Sequence, residues 1–456
     1  MKKGDPFVIW PNVPIKAFVQ LTDDEKQRLK RQQRLVLVWS ILGSFTYAAI
    51  WYWFPTSDQF IVAQYGFGSL QIGVLIATFG AAFIVTNFLW GYLNDLYWPY
   101  RIVTVGLIIA GISTFFFPYV KNFDEMVLIR VVEGVFNGAA WSGLVKTVQL
   151  WFPIEKRSKY LGIFIAIYSW AISVDFIAGA IVSLTLGWAA WAEIIGIIGI
   201  IVGILTFFLA KPYGPLVNLP HIDWGDVPPV KGLGFLNVSK GLFKYRWMVL
   251  SILAGLVVIG GANVISGFWI FQVAGFENFS IQQAELLGTV WGTVQGVLIL
   301  IFGYLSDKTR KRVIYIKIGM GGGFISLLGV VLITIYHPVP VAFVWIVTIA
   351  TGLPFLIAGP IFALLADRYG VQLVGAASGY FEGFGTGGGA FLLPLILGGL
   401  APLYGLPAAW GVITFIVLII FVVWIFQKEY TVGHSLVDVD TLRKEKELRE
   451  KEFGLS

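Results

Sequence analysis

The chain has no cysteine and only three histidines in 456 residues. Disulfide and thiol chemistry are therefore closed to it. His221, His337 and His434 stand far apart, and no HExxH, GxSxG or Walker loop occurs. Neither a metal, a cofactor nor an enzymatic reaction is expected. The third shortage is charge. Charged residues make up 13% of the chain, against about 25% in soluble domains, too few to cover a surface facing water. What is abundant is apolar: 57% of residues are hydrophobic, in blocks of about 20, the length that crosses hydrocarbon as a helix. The shorter alternating segments of a membrane barrel are missing. The composition predicts an all-α membrane protein.

Twelve spans are expected, near residues 35–54, 70–91, 102–119, 127–150, 160–185, 188–210, 247–273, 284–305, 314–336, 340–366, 373–400 and 403–426. The first 34 residues are polar, so no cleavable signal is expected ahead of them. An even number of spans puts both termini on one side. That side carries 29 of the 32 Lys and Arg, the other carries only Lys121, and Arg130 and Lys146 fall within the fourth span. Basic loops stay inside, which predicts cytoplasmic termini in a multi-pass protein of the cell membrane. The net charge of +6 then reflects topology and anionic lipid, not nucleic acid.

The expected divisions are a segment 1–34, a six-helix bundle 35–210, a Pro- and Gly-rich linker 211–246, a second bundle 247–426 and a tail 427–456. An internal repeat supports two bundles. Residues 91–101 read GYLNDLYWPYR, and residues 303–312 read GYLSDKTRKR. Asp95 and Asp307 lie 212 apart, and Arg157 and Arg368 lie 211 apart, each pair at matching helix ends. A carboxylate at the carbonyl end of its own helix is disfavoured by the helix dipole. It needs a neighbouring helix N-terminus or a nearby cation, and a contact that forms and breaks there is a gate. Asp95, Arg101, Arg157, Asp307, Arg310, Asp367 and Arg368 are the candidates.

Those two segments resemble the loop signature of the major facilitator superfamily. The first copy departs from it, with Trp98 and Pro99 in the usual Gly-Arg region and Arg101 beyond. The resemblance implies two pseudo-symmetric six-helix bundles that rock about a central site, in a protein working as a monomer.

The fourth span, RVVEGVFNGAAWSGLVKTVQLWFPIEKR, places Arg130, Glu133, Asn137 and Trp141 on one stripe. It is similar to the fourth span of anion:cation symporters and organophosphate antiporters, in Arg130, Gly134, Gly138, Trp141, Trp151, Phe152 and Arg157. The resemblance implies that Arg130 binds an anionic substrate. Asn137 stands where several such symporters carry a coupling glutamate. Phosphate-ester carriers also place arginines in the first and seventh spans, and neither span here has one. A phosphate dianion needs at least two cationic donors, so sugar-phosphate exchange is disfavoured.

Tyr47, Asn263 and Gln295 join Asn137 and Trp141 as expected cavity residues. Asp175 and Glu382 lie about 22 Å and about 14 Å into their spans at 1.5 Å per residue. Carboxylates at that depth must be paired or carry a proton, so with Glu133 they are candidates for proton coupling. Glu382 sits in the glycine-dense GYFEGFGTGGGAF, which permits close packing or local unwinding. The expected function is secondary transport of a small organic anion with protons. A neutral sugar or other uncharged or cationic solute, including efflux, stays open.

Overall fold

A computed structural model describes residues 22–97, 99–151, 157–209, 233–430, 436 and 439–452. Helix α1 (Asp23–Tyr65) starts well before the expected span. A capping box opens it: the Thr22 hydroxyl accepts from the Glu25 amide, and the Glu25 carboxylate accepts from the Thr22 amide. Gly66, at φ +68°, closes it. Then follow α2 (Ser69–Leu96), α3 (Pro99–Phe116), α4 (Phe123–Trp151), α5 (Arg157–Thr185) and α6 (Trp188–Leu209).

In the second half, α8 (Arg246–Val264) passes through a π-helical turn, Ile265–Trp269, into α9 (Ile270–Phe276). Next come α10 (Ile281–Thr309), α11 (Val313–Tyr336), α12 (Val341–Ala350) and α13 (Ala358–Tyr380), the last broken at Gly370 with φ +74°. A second π-helical segment, Phe381–Gly387, leads into α14 (Gly388–Tyr404), and α15 (Leu406–Ile425) ends the bundle. The described residues contain no strand, and the protein is an all-α membrane protein with about twelve spans. Among the described residues, eleven helices are long and apolar enough to cross a membrane. The remaining crossing is α4, whose Arg130, Glu133, Asn137 and Lys146 lower its hydropathy.

The halves meet along two seams. In one, α5 packs on α10; in the other, α2 packs on the crossing Gln372–Tyr404. The second is a backbone contact: a Cβ on Gly91 would stand 2.8 Å from the Gly379 Cα. Only hydrogen side chains let the helices come that close.

Of the expected linker, residues 211–232 lie outside the described residues. Its last part is a helix rather than loop, α7 (Phe235–Phe243), with Val238 and Leu242 buried. The charged tail forms α16 (Val439–Glu452). It is not wholly solvated: Leu442 is buried against Gly241, and Lys244 pairs with Glu445 at 3.4 Å.

Candidate functional site

A small cavity of about 30 Å³ lies between the halves. A water needs roughly 10–15 Å³ on this measure, so there is room for about two. Its wall is aromatic: Tyr47, Trp141 and Tyr168 from the first half face Phe355, Phe362 and Phe381 from the second. The Tyr47 and Trp141 rings are 4.5 Å apart, and Trp141 stands 4.8 Å from Phe164. Thr386 and Glu382 are the polar members of the lining besides the Tyr and Trp tips. Glu382 belongs to the π-helical segment, where the widened turn displaces side chains from α-helical register, an irregularity frequent at functional sites. Its Oε1 accepts from Trp141 Nε1 at 2.6 Å. That bond ties α4 to the second half.

A second buried carboxylate lies close by. The Tyr168 hydroxyl donates to the Tyr52 hydroxyl at 3.1 Å. Asp175 is two turns beyond Tyr168 on the same face of α5, within electrostatic reach of Tyr52. It is fully buried, and neither of its oxygens has a hydrogen-bond partner.

The polar stripe of α4 divides in two. Arg130 and Glu133 are sealed inside the first half, joined at 2.5 Å. The guanidinium also donates to the Leu75 carbonyl at 3.3 Å and lies over the Phe54 and Phe79 rings, at 4.9 and 4.6 Å. Glu133 accepts from Thr114 at 2.7 Å and from Trp53 at 3.3 Å. Neither residue reaches the cavity wall. Asn137 donates to the Tyr47 carbonyl at 3.1 Å, and Asn263 accepts from Trp51 Nε1 at 3.1 Å, linking α1 to α8. Gln295 is buried beside Gly352 with its amide unpartnered and is not part of the cavity lining. Of the expected residues, Tyr47, Trp141 and Glu382 line the cavity. Tyr168, Phe355, Phe362 and Phe381 join them without having stood out in the sequence.

Below the cavity, at the basic end of the bundle, two carboxylates bridge the halves in the same manner. Asp95, on α2, accepts from the Gly375 and Ala376 amides at 3.1 and 2.7 Å and pairs with Lys146 of α4. Asp307, on α10, accepts from the Lys159 amide at 2.6 Å, near the start of α5. In each case a helix C-terminus meets a helix N-terminus of the other half, which the dipoles favour.

The cations differ from those expected. Lys146, absent from the expected gate residues, is buried and paired with Asp95. Arg101 is exposed and bonds Tyr100 instead of Asp95. Arg310 is exposed and turns the chain at φ +55°, and Arg312 takes its place. Arg312 is buried, 2.6 Å from Asp307 and 3.3 Å from Asp367. Burial disfavours its charge, but Asp367 and Asp307 outweigh that and hold its pKa above the usual range. Arg368 lies over the rings of Tyr430, at 4.2 Å, and Trp247, at 5.2 Å. The side chain of Arg157 lies outside the described residues. At the opposite end Gln59 donates to Glu285 at 2.8 Å, joining α1 to α10.

The sequence profile of the Major Facilitator Superfamily matches residues 39–391 and 275–451. Among similar proteins is the "Probable hexose phosphate transport protein" of Chlamydia trachomatis, 23% identical over 59% of this chain and 61% of its own length. The "Probable L-galactonate transporter" of Escherichia coli is 26% identical over 54% of this chain and 56% of its own. The "Glycerol-3-phosphate transporter" of Bacillus subtilis is 24% identical over 83% and 89%. The match to the first of these spans about three fifths of that relative's length.

Proposed function

This chain belongs to the major facilitator superfamily, and on that premise we propose a secondary transporter that couples a small organic solute to protons through Glu382. Alternating access follows from the paired anchors at Asp95 and Asp307. Both must release for the basic end to open. The lopsided Lys and Arg supports placing that end in the cytoplasm of a cell-membrane protein.

The observation that carries the proposal is Glu382 in the cavity, bonded across the halves to Trp141. An organic anion, the solute class in the names of the three relatives, cannot share so small a space with a carboxylate. At about 5 Å and an effective dielectric of about 20, two negative charges repel by about 3 kcal/mol, more than a hundredfold in occupancy. The anion therefore binds only when Glu382 holds a proton, and the two travel together. The Tyr52–Tyr168 pair offers a route for that proton between Asp175 and the cavity. Arg130, paired with Glu133 inside the first half, makes no contact with the solute.

A second reading rests on the same wall. Six aromatic faces, one carboxylate and no basic residue in the lining suit a cation or a neutral ring. A cation would compete with the proton for Glu382, giving exchange instead of symport. The sign of the pH effect separates them: lower pH tightens binding of an anion and loosens that of a cation. For the coupling itself, Glu382→Gln in proteoliposomes is expected to abolish accumulation driven by a pH gradient while keeping solute counterflow. Accumulation undiminished by the substitution refutes the role of Glu382.

A further inference from the structure

We propose that α7 and α16 form a binding surface for anionic phospholipid, and that lipid held there straps the seam between α2 and Gln372–Tyr404 shut. The proposal rests on alternating access but not on the identity of the solute.

The inner face of α7 lies across that seam. The Phe235 ring is 5.4 Å from Tyr92 and 5.7 Å from Phe88, both on α2, and 6.4 Å from Tyr380 in the second half. The Ser239 and Tyr380 hydroxyls are 2.6 Å apart, and Phe243 meets Tyr380 edge-on at 5.0 Å. Tyr380 follows Gly379, which touches Gly91 one turn from the Asp95 anchor. When α2 parts from the other half at this end, Phe235 must leave one partner or the other.

The outer face has a different chemistry. Leu236 is 69% exposed and Phe243, at the border of the two faces, is 42% exposed, while Lys240, Lys244 and Arg246 are exposed around them. Between α7 and α16 runs a groove of about 550 Å³, lined by Lys240, Lys244 and Lys446 against the single carboxylate of Glu445. Apolar side chains beside a cluster of amines, at the basic end of a membrane bundle, are the makings of an interfacial helix. The amines take the phosphate, and Leu236 and Phe243 take the start of the acyl chains. Free phosphate would leave those two side chains without a partner, which favours lipid as the occupant.

The chain has no cysteine, so spin labels can be placed at will. Exposed Tyr97, at the end of α2, and exposed Lys308, near the end of α10, are changed to cysteine in the full chain. Their distance distribution is measured in phosphatidylcholine vesicles, with and without phosphatidylglycerol. Phosphatidylglycerol is expected to raise the ratio of short to long distances at least fivefold, and the rise to shrink in high salt. Lys240→Gln/Lys244→Gln/Arg246→Gln, all surface changes, should erase the response. Phe235→Ala should erase it while lipid is still retained on purification. A single distance under every condition would overturn the gate and with it the strap. Two distances indifferent to phosphatidylglycerol, or a response reproduced by inorganic phosphate alone, would overturn the lipid strap and leave the gate standing.

Discussion

Asp95→Asn tests the anchoring of the proposed gate most directly. In the closed state the Asp95 carboxylate accepts the amides of Gly375 and Ala376 from across the seam. Hydrogen bonds to a charged acceptor contribute about 1.5–3 kcal/mol each, and neutral ones about 0.5–1.5. Neutralising the acceptor thus weakens two cross-seam bonds by roughly 1 kcal/mol apiece. The closed state loses about 2 kcal/mol, a shift of ~30-fold toward opening. Lys146 complicates the reading, because the substitution leaves its buried ammonium without a counter-charge. That pair lies within one half, so its loss lowers stability in both states. Adding Lys146→Met removes the orphan charge and should restore stability without restoring closure. The assay is alkylation of a single cysteine at Ser378, which is buried beside the seam residue Gly379. Labelling should quicken about 30-fold in Asp95→Asn and stay fast in the double variant. Labelling at the parental rate in both would refute the argument that these amide bonds hold the seam.

Four further substitutions separate structural charges from working ones. Arg130→Met leaves Glu133 buried with two neutral donors, and loss of about 3–5 kcal/mol is expected in thermal unfolding; adding Glu133→Gln should recover most of it. If the stable double variant still takes up organic acids at the parental rate, Arg130 has no part in attracting them. Arg312→Ala strands Asp307 and Asp367 in the interior and should unfold at markedly lower temperature. Arg310→Ala, on an exposed turn, should change stability by no more than about 0.5 kcal/mol. Equal effects of the two would refute the assignment of Arg312 as the buried partner.

What the sequence made legible follows from the physics of each feature. The spans could be read because hydrocarbon thickness dictates their length. The anchors could be read because a carboxylate at a helix C-terminus demands an outside donor, and the repeat made the demand twice. Which cation answers it was not legible. Lys146 is remote from Asp95 along the chain, and Arg312 displaces Arg310 only because the left-handed turn at 310 brings the chain back upon Asp307. The stripe on α4 is the sharpest case. Helical spacing put Arg130, Glu133, Asn137 and Trp141 on one face, and the structure keeps them near one face. Their fates diverge with depth. Around Arg130, α4 is enclosed by α1, α2 and α3 of its own half, so the charge is neutralised there. At Trp141 the two halves converge, so the same face reaches Glu382. Periodicity reports the direction of a side chain, but only the crossing of helices decides what it meets. A polar stripe in a membrane helix can therefore hold a structural pair at one level and the proposed site at the next.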